Sequence, residues 1–130
     1  MPSYWHDHIH LASPDPAKTA QFYERMFGAK VISTRQLADG RTNVELDLNG
    51  SRILVINPKA QLGAAPTPSG TGHGLGHFGL RTDNLEAAVA ELKAKGVEFT
   101  EEIRVVRPGV KVSFLLGPEN TLIELLEKSD

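Results

Sequence analysis

The sequence contains no cysteine, few aromatic residues, little excess charge and no long apolar run. Without cysteine there can be no disulfide and no thiolate metal site, so any bound metal must be held by nitrogen and oxygen ligands. The 130 residues include 14 basic and 16 acidic ones, and the formal net charge is −2. This balance gives no electrostatic reason to expect nucleic acid or an anionic membrane as a partner.

The apolar runs are only a few residues long, so we expect no segment that spans a membrane. The opening "MPSYWHDH" has neither the basic region nor the apolar region of a secretory signal. We therefore expect a soluble, cytoplasmic protein. A chain of this length is most simply one domain, 1–130, that buries roughly two thirds of its unfolded surface.

The first half predicts one strand, one helix and three further strands. Ile9 and Leu11 alternate with His8 and His10, which predicts a strand over 6–12. Asp15 and the proline after it favour a helix start, and a glycine at 28 favours its end. Strands follow near 29–35, 42–48 and 52–57, separated by "ADGR" and "NGS" turns.

The second half repeats this order. We predict a strand over 77–82, a helix capped by Asp83 with Glu86 completing a capping box, and strands near 97–103, 110–116 and 121–127. Between the halves, 58–75 is rich in proline and glycine and predicts a linker. The fold class is therefore α+β: module one (about 6–57) and module two (about 76–127) are βαβββ units forming an open, strongly curved mixed sheet.

Aligning the halves pairs chemically important positions. The pairs are His8 with His77, Val44 with Val112, Ile53 with Ile123, and Leu54 with Glu124. Equivalent modules usually pack about a pseudo-twofold axis, so the two histidines should converge, and Glu124 should join them from the last strand. Two imidazoles and one carboxylate suit Fe(II), Mn(II), Zn(II) or Ni(II). A glutamate among leucines is also costly to bury without such a partner.

Three further residues bear on this site. His10 lies on the same predicted strand face as His8, and with Glu124 it is a candidate catalytic residue; a structural polar contact is the alternative. Phe114 could form part of an aromatic wall of the site, although packing in the core is favoured. Glu127, at the end of the predicted last strand, is expected to be solvated.

Three stretches of the chain resemble the vicinal oxygen chelate superfamily of glyoxalase, bleomycin-resistance and extradiol-dioxygenase proteins. They are "DHIHLASPDPAKTAQFYERMFGAKV", "GLGHFGLRTDNLEAAVAELKAKGVEF" and "FLLGPENTLIELLE". The resemblance implies paired βαβββ modules in an open, bent sheet, and a divalent metal on the first and last strands. Carried over, its ligands are His8, His77 and Glu124. It also implies a homodimer.

One position departs from that family. Glyoxalase I and the related epimerases are expected to carry a glutamate or glutamine where this chain has Leu54. A two-histidine, one-carboxylate set instead resembles extradiol dioxygenases and the manganese-dependent fosfomycin-resistance transferases. Dioxygenase-like chemistry on a small oxygen-rich metabolite is slightly favoured here. The alternatives are a glyoxalase-I-like lyase or isomerase (lactoylglutathione lyase type) and metal-free binding of a drug or metabolite (bleomycin-resistance type).

Overall fold

The computed structural model describes residues 1–3, 5–58 and 75–129. Nearly all of the predicted linker, 58–75, lies outside the described residues. The chain divides into two compact units, Met1–Ala64 and Ala65–Asp130. In the described residues, each unit has one α-helix and one four-stranded sheet.

Unit 1 has the predicted βαβββ order. Its elements are β1 (His8–Ala12), α1 (Pro16–Phe27), β2 (Lys30–Gln36), β3 (Thr42–Leu48) and β4 (Ser51–Ile56). The sheet order is β1-β4-β3-β2, with β1 parallel to β4 and the other pairs antiparallel. The sheet is therefore mixed, as predicted.

Unit 2 repeats this arrangement. Its elements are β5 (Phe78–Arg81), α2 (Leu85–Ala94), β6 (Phe99–Arg107), β7 (Val110–Leu116), a 3₁₀ turn (Pro118–Asn120) and β8 (Leu122–Lys128). The sheet order is β5-β8-β7-β6, and β5 is parallel to β8. The predicted α+β fold of two βαβββ modules is confirmed.

Each helix covers one face of the sheet in its own unit. In unit 1, Tyr23 of α1 is buried together with Leu46 and Val55, and in unit 2, Leu85 of α2 is buried together with Ile123. These sheet residues alternate with more exposed ones, because successive side chains of a strand point to opposite faces. The face opposite the helix in each unit is called the helix-free face below.

The start of α1 follows the sequence prediction, but the start of α2 does not. Asp15 caps α1 by accepting the Lys18 backbone N–H at 3.2 Å. In α2 the cap is Asn84, whose side-chain oxygen accepts the Ala87 N–H at 3.0 Å, so the assignment of Asp83 is wrong by one residue. Asp and Asn cap almost equally well, and the sequence therefore did not separate the two neighbours.

Glu86 and Glu127 also differ from expectation at this helix start. Glu86 pairs with the Lys111 ammonium at 2.6 Å instead of completing a capping box. The Glu127 carboxylate accepts the Leu85 backbone N–H at 2.8 Å, so it is not merely solvated. A carboxylate is stabilised there because the first N–H groups of a helix lack partners within the helix.

The register of the two units corrects one predicted pair. Ile53 and Ile123 are equivalent, since they lie opposite Ile9 and Phe78 respectively. Val44, however, is equivalent to Ser113 rather than to Val112, because these residues lie opposite the matching strand positions 55 and 125. Strand β6 has three register shifts against β7 and β2 has one against β3, so counting residues across these strands misplaces β7 by one.

None of the helices in the described part of the chain is both long and apolar enough to cross a membrane.

Candidate functional site

The candidate residues lie on the helix-free faces of the two sheets. In β1, His8 and His10 are exposed while Ile9 and Leu11 are partly buried, which is the predicted alternation. In β8, Glu124 is partly exposed between the buried Ile123 and Leu125. A polar group on such a face is available to a ligand without disrupting the core.

In unit 2 the structure brings His77 and Glu124 into contact. The Nε2 atom of His77 lies 2.9 Å from Oε1 of Glu124. The two side chains are 38% and 20% exposed, so the pair is shielded on several sides but open to solvent. The contact joins residues 47 positions apart in sequence, and it forms because β5 lies beside β8.

Gly79 leaves space for the Glu124 carboxylate. The two residues are directly opposite each other across the parallel β5–β8 pair. A Cβ atom placed on Gly79 would lie 3.7 Å from Oε1 of Glu124 and 3.4 Å from Cδ2 of Leu126. The carboxylate therefore occupies space above β5 that a larger side chain at position 79 would fill.

Phe114 borders the His77–Glu124 pair on its other side. It lies opposite Glu124 in the antiparallel β7–β8 pair. Its ring centroid is 5.1 Å from that of His77, and the planes are at 86°. Such an edge-to-face contact restricts the imidazole orientation. Phe114 is thus part of the site face and not, as expected, a residue of the core beneath the helix.

In unit 1, His8 contacts a carboxylate that sequence reasoning missed. Nδ1 of His8 lies 2.7 Å from Oδ2 of Asp7. A carboxylate on one ring nitrogen of a histidine fixes the ring orientation and leaves the other nitrogen available, as in many metal sites. Asp7 is 87% exposed, so solvent weakens this pair. The only sequence feature that could have indicated this contact is the Asp-His dipeptide at 7–8, and such dipeptides are too common to predict a pair.

His10 lies beside His8 and opposite Leu54 in the β1–β4 register. Burial lowers the pKa of the His10 imidazole, and the nearby positive charges of His8 and Arg41 lower it further. Its neutral form, which has one ring nitrogen able to accept a proton or bind a metal, is therefore favoured. The neutral form suits either of the roles considered for this residue.

An ionic cluster lies on the same face of unit 1. The Arg52 guanidinium is 3.5 Å from a Glu45 carboxylate oxygen and 3.9 Å from one of Asp47. Arg52 is opposite His8 and Glu45 is opposite Leu54 in the sheet register. The two acids therefore share one cation.

The structure brings some of the predicted site residues into contact. It joins His77 to Glu124 and His8 to Asp7, and within the described residues no three histidine or acidic side chains lie close enough together to hold a metal ion. The His77–Glu124 pair itself fits a metal. Two ligands about 2.1 Å from an ion and about 90° apart have donor atoms about 3 Å from each other, close to the observed separation.

Comparisons with known proteins agree with the fold. A sequence model of the Glyoxalase/Bleomycin resistance protein/Dioxygenase superfamily matches residues 5–125. The chain is 29% identical over 113 residues to the mitochondrial methylmalonyl-CoA epimerase of Homo sapiens, an alignment covering 84% of this chain and 64% of the human protein. It is 28% identical over 124 residues to a putative lactoylglutathione lyase of Brassica oleracea var. gemmifera, covering 93% and 43% of the two chains.

A solved glyoxalase family protein from Enterococcus faecalis superposes with a TM-score of 0.79 at 22% identity, covering 95% of this chain and 97% of that one. At this identity the likeness concerns the fold alone. The chain spans less than two thirds of the length of both curated relatives. Their activities therefore do not transfer to it by similarity alone.

Proposed function

This chain belongs to the glyoxalase/bleomycin resistance protein/dioxygenase superfamily, and from that premise we propose a divalent-metal-dependent enzyme that moves a proton on a small carbonyl compound. The observation that carries the proposal is the 2.9 Å contact between His77 and Glu124. It joins an imidazole and a carboxylate, the donor types that bind Fe(II), Mn(II), Zn(II) and Ni(II).

In this proposal the metal ligands are His77, Glu124 and His8. His8 is included because it occupies in unit 1 the position that His77 occupies in unit 2. His8 directly precedes the residue that faces Ile53, and His77 directly precedes the residue that faces Ile123. Asp7 supports that role by holding Nδ1 of His8, which leaves Nε2 for the ion. When bound, the ion would act as a Lewis acid that makes the hydrogen beside a substrate carbonyl more acidic.

The residues of the chain carry the proton. Glu124 accepts the hydrogen from the carbon beside the carbonyl and returns it to the neighbouring carbon on the same side of the substrate. Phe114 restricts the orientation of the His77 imidazole through its edge-to-face contact. His10 contributes a neutral imidazole on the face that carries His8. Positioned acids and bases of this kind contribute about 10²–10⁴-fold to rate.

The named relatives favour proton transfer over the dioxygenase chemistry that the sequence suggested. One is called an epimerase and the other a putative lactoylglutathione lyase. Dioxygenase-like chemistry stays the second candidate, because Leu54 in unit 1 lies where unit 2 has Glu124. A leucine can neither bind a metal nor move a proton, so a mechanism that needs a second carboxylate at that position is unavailable.

Solvent-hydrogen exchange tests the proposed reaction directly. The protein, reconstituted separately with Zn(II), Mn(II), Ni(II) and Fe(II), is incubated in D₂O with methylmalonyl-CoA and with the methylglyoxal–glutathione adduct. We expect deuterium to enter one substrate beside the carbonyl, and Glu124→Gln to slow this by about 10²–10⁴-fold. The control is Glu102→Gln, which changes an exposed glutamate paired with Lys93. No exchange with any metal, together with oxygen uptake on a catechol, would favour the dioxygenase reading.

We also propose that the enzyme works as a homodimer, as the family resemblance implies. Sedimentation equilibrium measures the assembly. Mixing His8→Ala and Glu124→Gln proteins after mild dissociation then asks whether one site uses ligands from two chains. Activity recovered on mixing indicates a shared site, whereas two inactive parents that stay inactive indicate ligands from a single chain. A monomer at all concentrations contradicts the dimer.

A further inference from the structure

Asn43 of β3 carries a buried polar atom that is left unpaired. The residue is only 6% exposed. Its side-chain oxygen, Oδ1, has no hydrogen-bond partner within the residues that the structure describes. Burying an amide oxygen without a hydrogen bond is unfavourable, so most such atoms in proteins are paired. An exception is therefore a candidate for contact with a ligand.

Another asparagine of unit 1 shows how the fold uses a structural amide. Oδ1 of Asn57 accepts the Thr42 backbone N–H at 2.7 Å. Its Nδ2 donates to the backbone carbonyls of Ser13 and Pro14 at 3.3 and 3.1 Å. Asn57 thus ties the start of β3 to the segment that follows β1. Oδ1 of Asn43 makes no comparable contact in the described part of the chain, so it does not stabilise the fold in this way.

Asn43 shares the helix-free face of unit 1 with two aliphatic side chains. In the sheet register it lies opposite Ile56 of β4, and Leu54 is two residues earlier on that strand. Ile56 and Leu54 are partly exposed and alternate with the buried Ile53 and Val55. Residues that face each other on neighbouring strands project to the same side of a sheet. The amide therefore borders an apolar surface that is open on the face away from the helix.

A ligand can reach this amide from the side of the edge strand β2. Arg35 faces Asn43 in the β2–β3 register and is exposed, as are most residues of that strand. Exposed side chains change rotamer within picoseconds to nanoseconds. Arg35 is thus no fixed barrier, and its movement leaves the core beneath the helix unchanged.

The surroundings of Asn43 favour an uncharged donor. An amide oxygen carries no net charge, and a charged group brought to so buried a position would lose hydration without gaining a charged partner. The carboxylates of Glu45 and Asp47, further along β3, already share the Arg52 guanidinium. A hydroxyl or an amide N–H supplies the missing hydrogen bond without that cost.

We propose that the helix-free face of unit 1 holds a subsite for a small organic ligand whose hydroxyl or amide N–H donates to Oδ1 of Asn43. Leu54 and Ile56 form the apolar surface beneath the carbon atoms of this ligand. Leu54 thereby has a binding role at the position where unit 2 has Glu124. The subsite goes beyond the proposed function, since it needs neither a metal nor any residue of unit 2, and failure of either proposal leaves the other standing.

Replacing the amide tests whether it is structural. Because an unpaired buried polar atom opposes folding, Asn43→Leu should have the same Tm as the unmodified protein or a higher one. Asn57→Leu is the matched control: it removes an amide that makes three hydrogen bonds and should lower Tm by at least about 2 °C. Asn43→Ala covers the case in which leucine is too large. If both Asn43 variants lower Tm as Asn57→Leu does, the amide has a structural partner, such as a water molecule, and the proposal is overturned.

Two small amides test the binding itself. Isobutyramide has N–H donors beside an aliphatic group, whereas N,N-dimethylisobutyramide has no N–H. In methyl-labelled protein, isobutyramide should cause saturable NMR shifts of Leu54 and Ile56, and none of Ile53, which is buried on the opposite face.

The dimethyl compound should bind the unmodified protein at least about threefold more weakly than isobutyramide, since it cannot donate to Oδ1. The two compounds should bind equally to whichever Asn43 variant is folded. Absence of saturable shifts with isobutyramide, or equal binding of the two amides to the unmodified protein, would overturn the subsite.

Discussion

The Nε2 atom of His77 and the Oε1 atom of Glu124 lie 2.9 Å apart across the parallel β5–β8 pair. In the absence of a metal, this distance describes a hydrogen bond with one shared proton. A divalent ion bound by both atoms must displace that proton, so the metal and the proton compete for the same pair. The contact that holds the metal-free site together is therefore also the contact that the metal replaces.

Metal binding should stabilise the folded protein through this pair. Saturating Zn(II) at a free concentration of 100 times the dissociation constant should add about 2.7 kcal/mol to the free energy of unfolding. We expect a corresponding rise in Tm by differential scanning calorimetry, and its loss in His77→Ala and in Glu124→Gln.

Glu102→Gln serves as the matched control, because it removes an exposed carboxylate on β6, at the opposite edge of the sheet from β5. It should retain the full rise in Tm with Zn(II). A rise of equal size in Glu124→Gln would show that the metal binds elsewhere.

Gly79 should tolerate a methyl group but not a branched side chain. The Cβ atom of Gly79→Ala would lie 3.4–3.7 Å from Leu126 and Glu124, which is ordinary van der Waals contact. Because glycine in a strand interior is intrinsically unfavourable, this variant should be as stable as the unmodified protein or more stable by up to about 1 kcal/mol. Gly79→Val adds two methyl groups beside the carboxylate and should lower Zn(II) affinity at least about tenfold.

Chemical denaturation and calorimetric Zn(II) titration separate these effects. If Gly79→Val binds Zn(II) as Gly79→Ala does, the space above β5 is not needed by Glu124. If Gly79→Ala already loses most of the affinity, the site is tighter than the contact distances indicate.

The features that the sequence predicted well depend on local patterns. The alternation of Ile9 and Leu11 with histidines fixed the faces of β1, and the repeat placed Ile53 and Ile123 at equivalent positions, which the registers bear out. Period-two alternation determines which side of a sheet a residue faces, whatever the rest of the chain does. The same reasoning identified His77 and Glu124, whose contact the structure describes and whose role as ligands remains a proposal.

The features that were missed depend on the number of residues in a bulged strand or on contacts between segments that are distant in sequence. The pairing of Val44 with Val112 failed because bulges in β6 add residues that do not advance the register. Phe114 was assigned to the core because an isolated aromatic residue most often packs there, whereas its contact with His77 exists only once β7 and β5 lie on either side of β8. Local sequence patterns do not show which strands become neighbours in the sheet.

Phe114 should support the site through its ring. Phe114→Leu keeps an apolar side chain but removes the edge-to-face contact with His77, which is worth about 0.5–1.5 kcal/mol. Replacing a residue that orients a metal ligand typically lowers metal affinity by about 10–100-fold. We therefore expect Phe114→Leu to bind Zn(II) about tenfold more weakly. Calorimetric Zn(II) titration measures it.

Phe99→Leu is the matched control for Phe114→Leu, because it makes the same substitution on the neighbouring strand β6. Phe99 lies beneath the Lys93 ammonium, 5.7 Å from it, and its register partner is Leu115. It should lose stability without losing Zn(II) affinity. Equal loss of affinity in the two variants would mean that the ring of Phe114 acts through general packing and not through His77.

The charged cluster at the start of α2 should make stability depend on pH in a defined direction. The hydrogen bond from Lys111 holds the pKa of Glu86 below its usual value, and Glu86 in turn raises the pKa of Lys111. The contribution of Glu86 is therefore present above the pKa that this group has in the unfolded chain, and it is lost as the pH falls through the lowered folded value. The contribution of Lys111 is present below its unfolded pKa and is lost as the pH rises through the raised folded value.

Lys111→Met should remove both effects together. The Tm difference between the unmodified protein and Lys111→Met should be largest near neutral pH and should shrink at acid pH, as Glu86 becomes protonated. It should also shrink in high salt, because the groups are exposed. Lys18→Met, which makes the same charge change, should show no such pH dependence. Carboxyl NMR titration gives the direct check: the Glu86 pKa should rise in Lys111→Met, and an unchanged pKa would show that the helix start, not the lysine, holds it down.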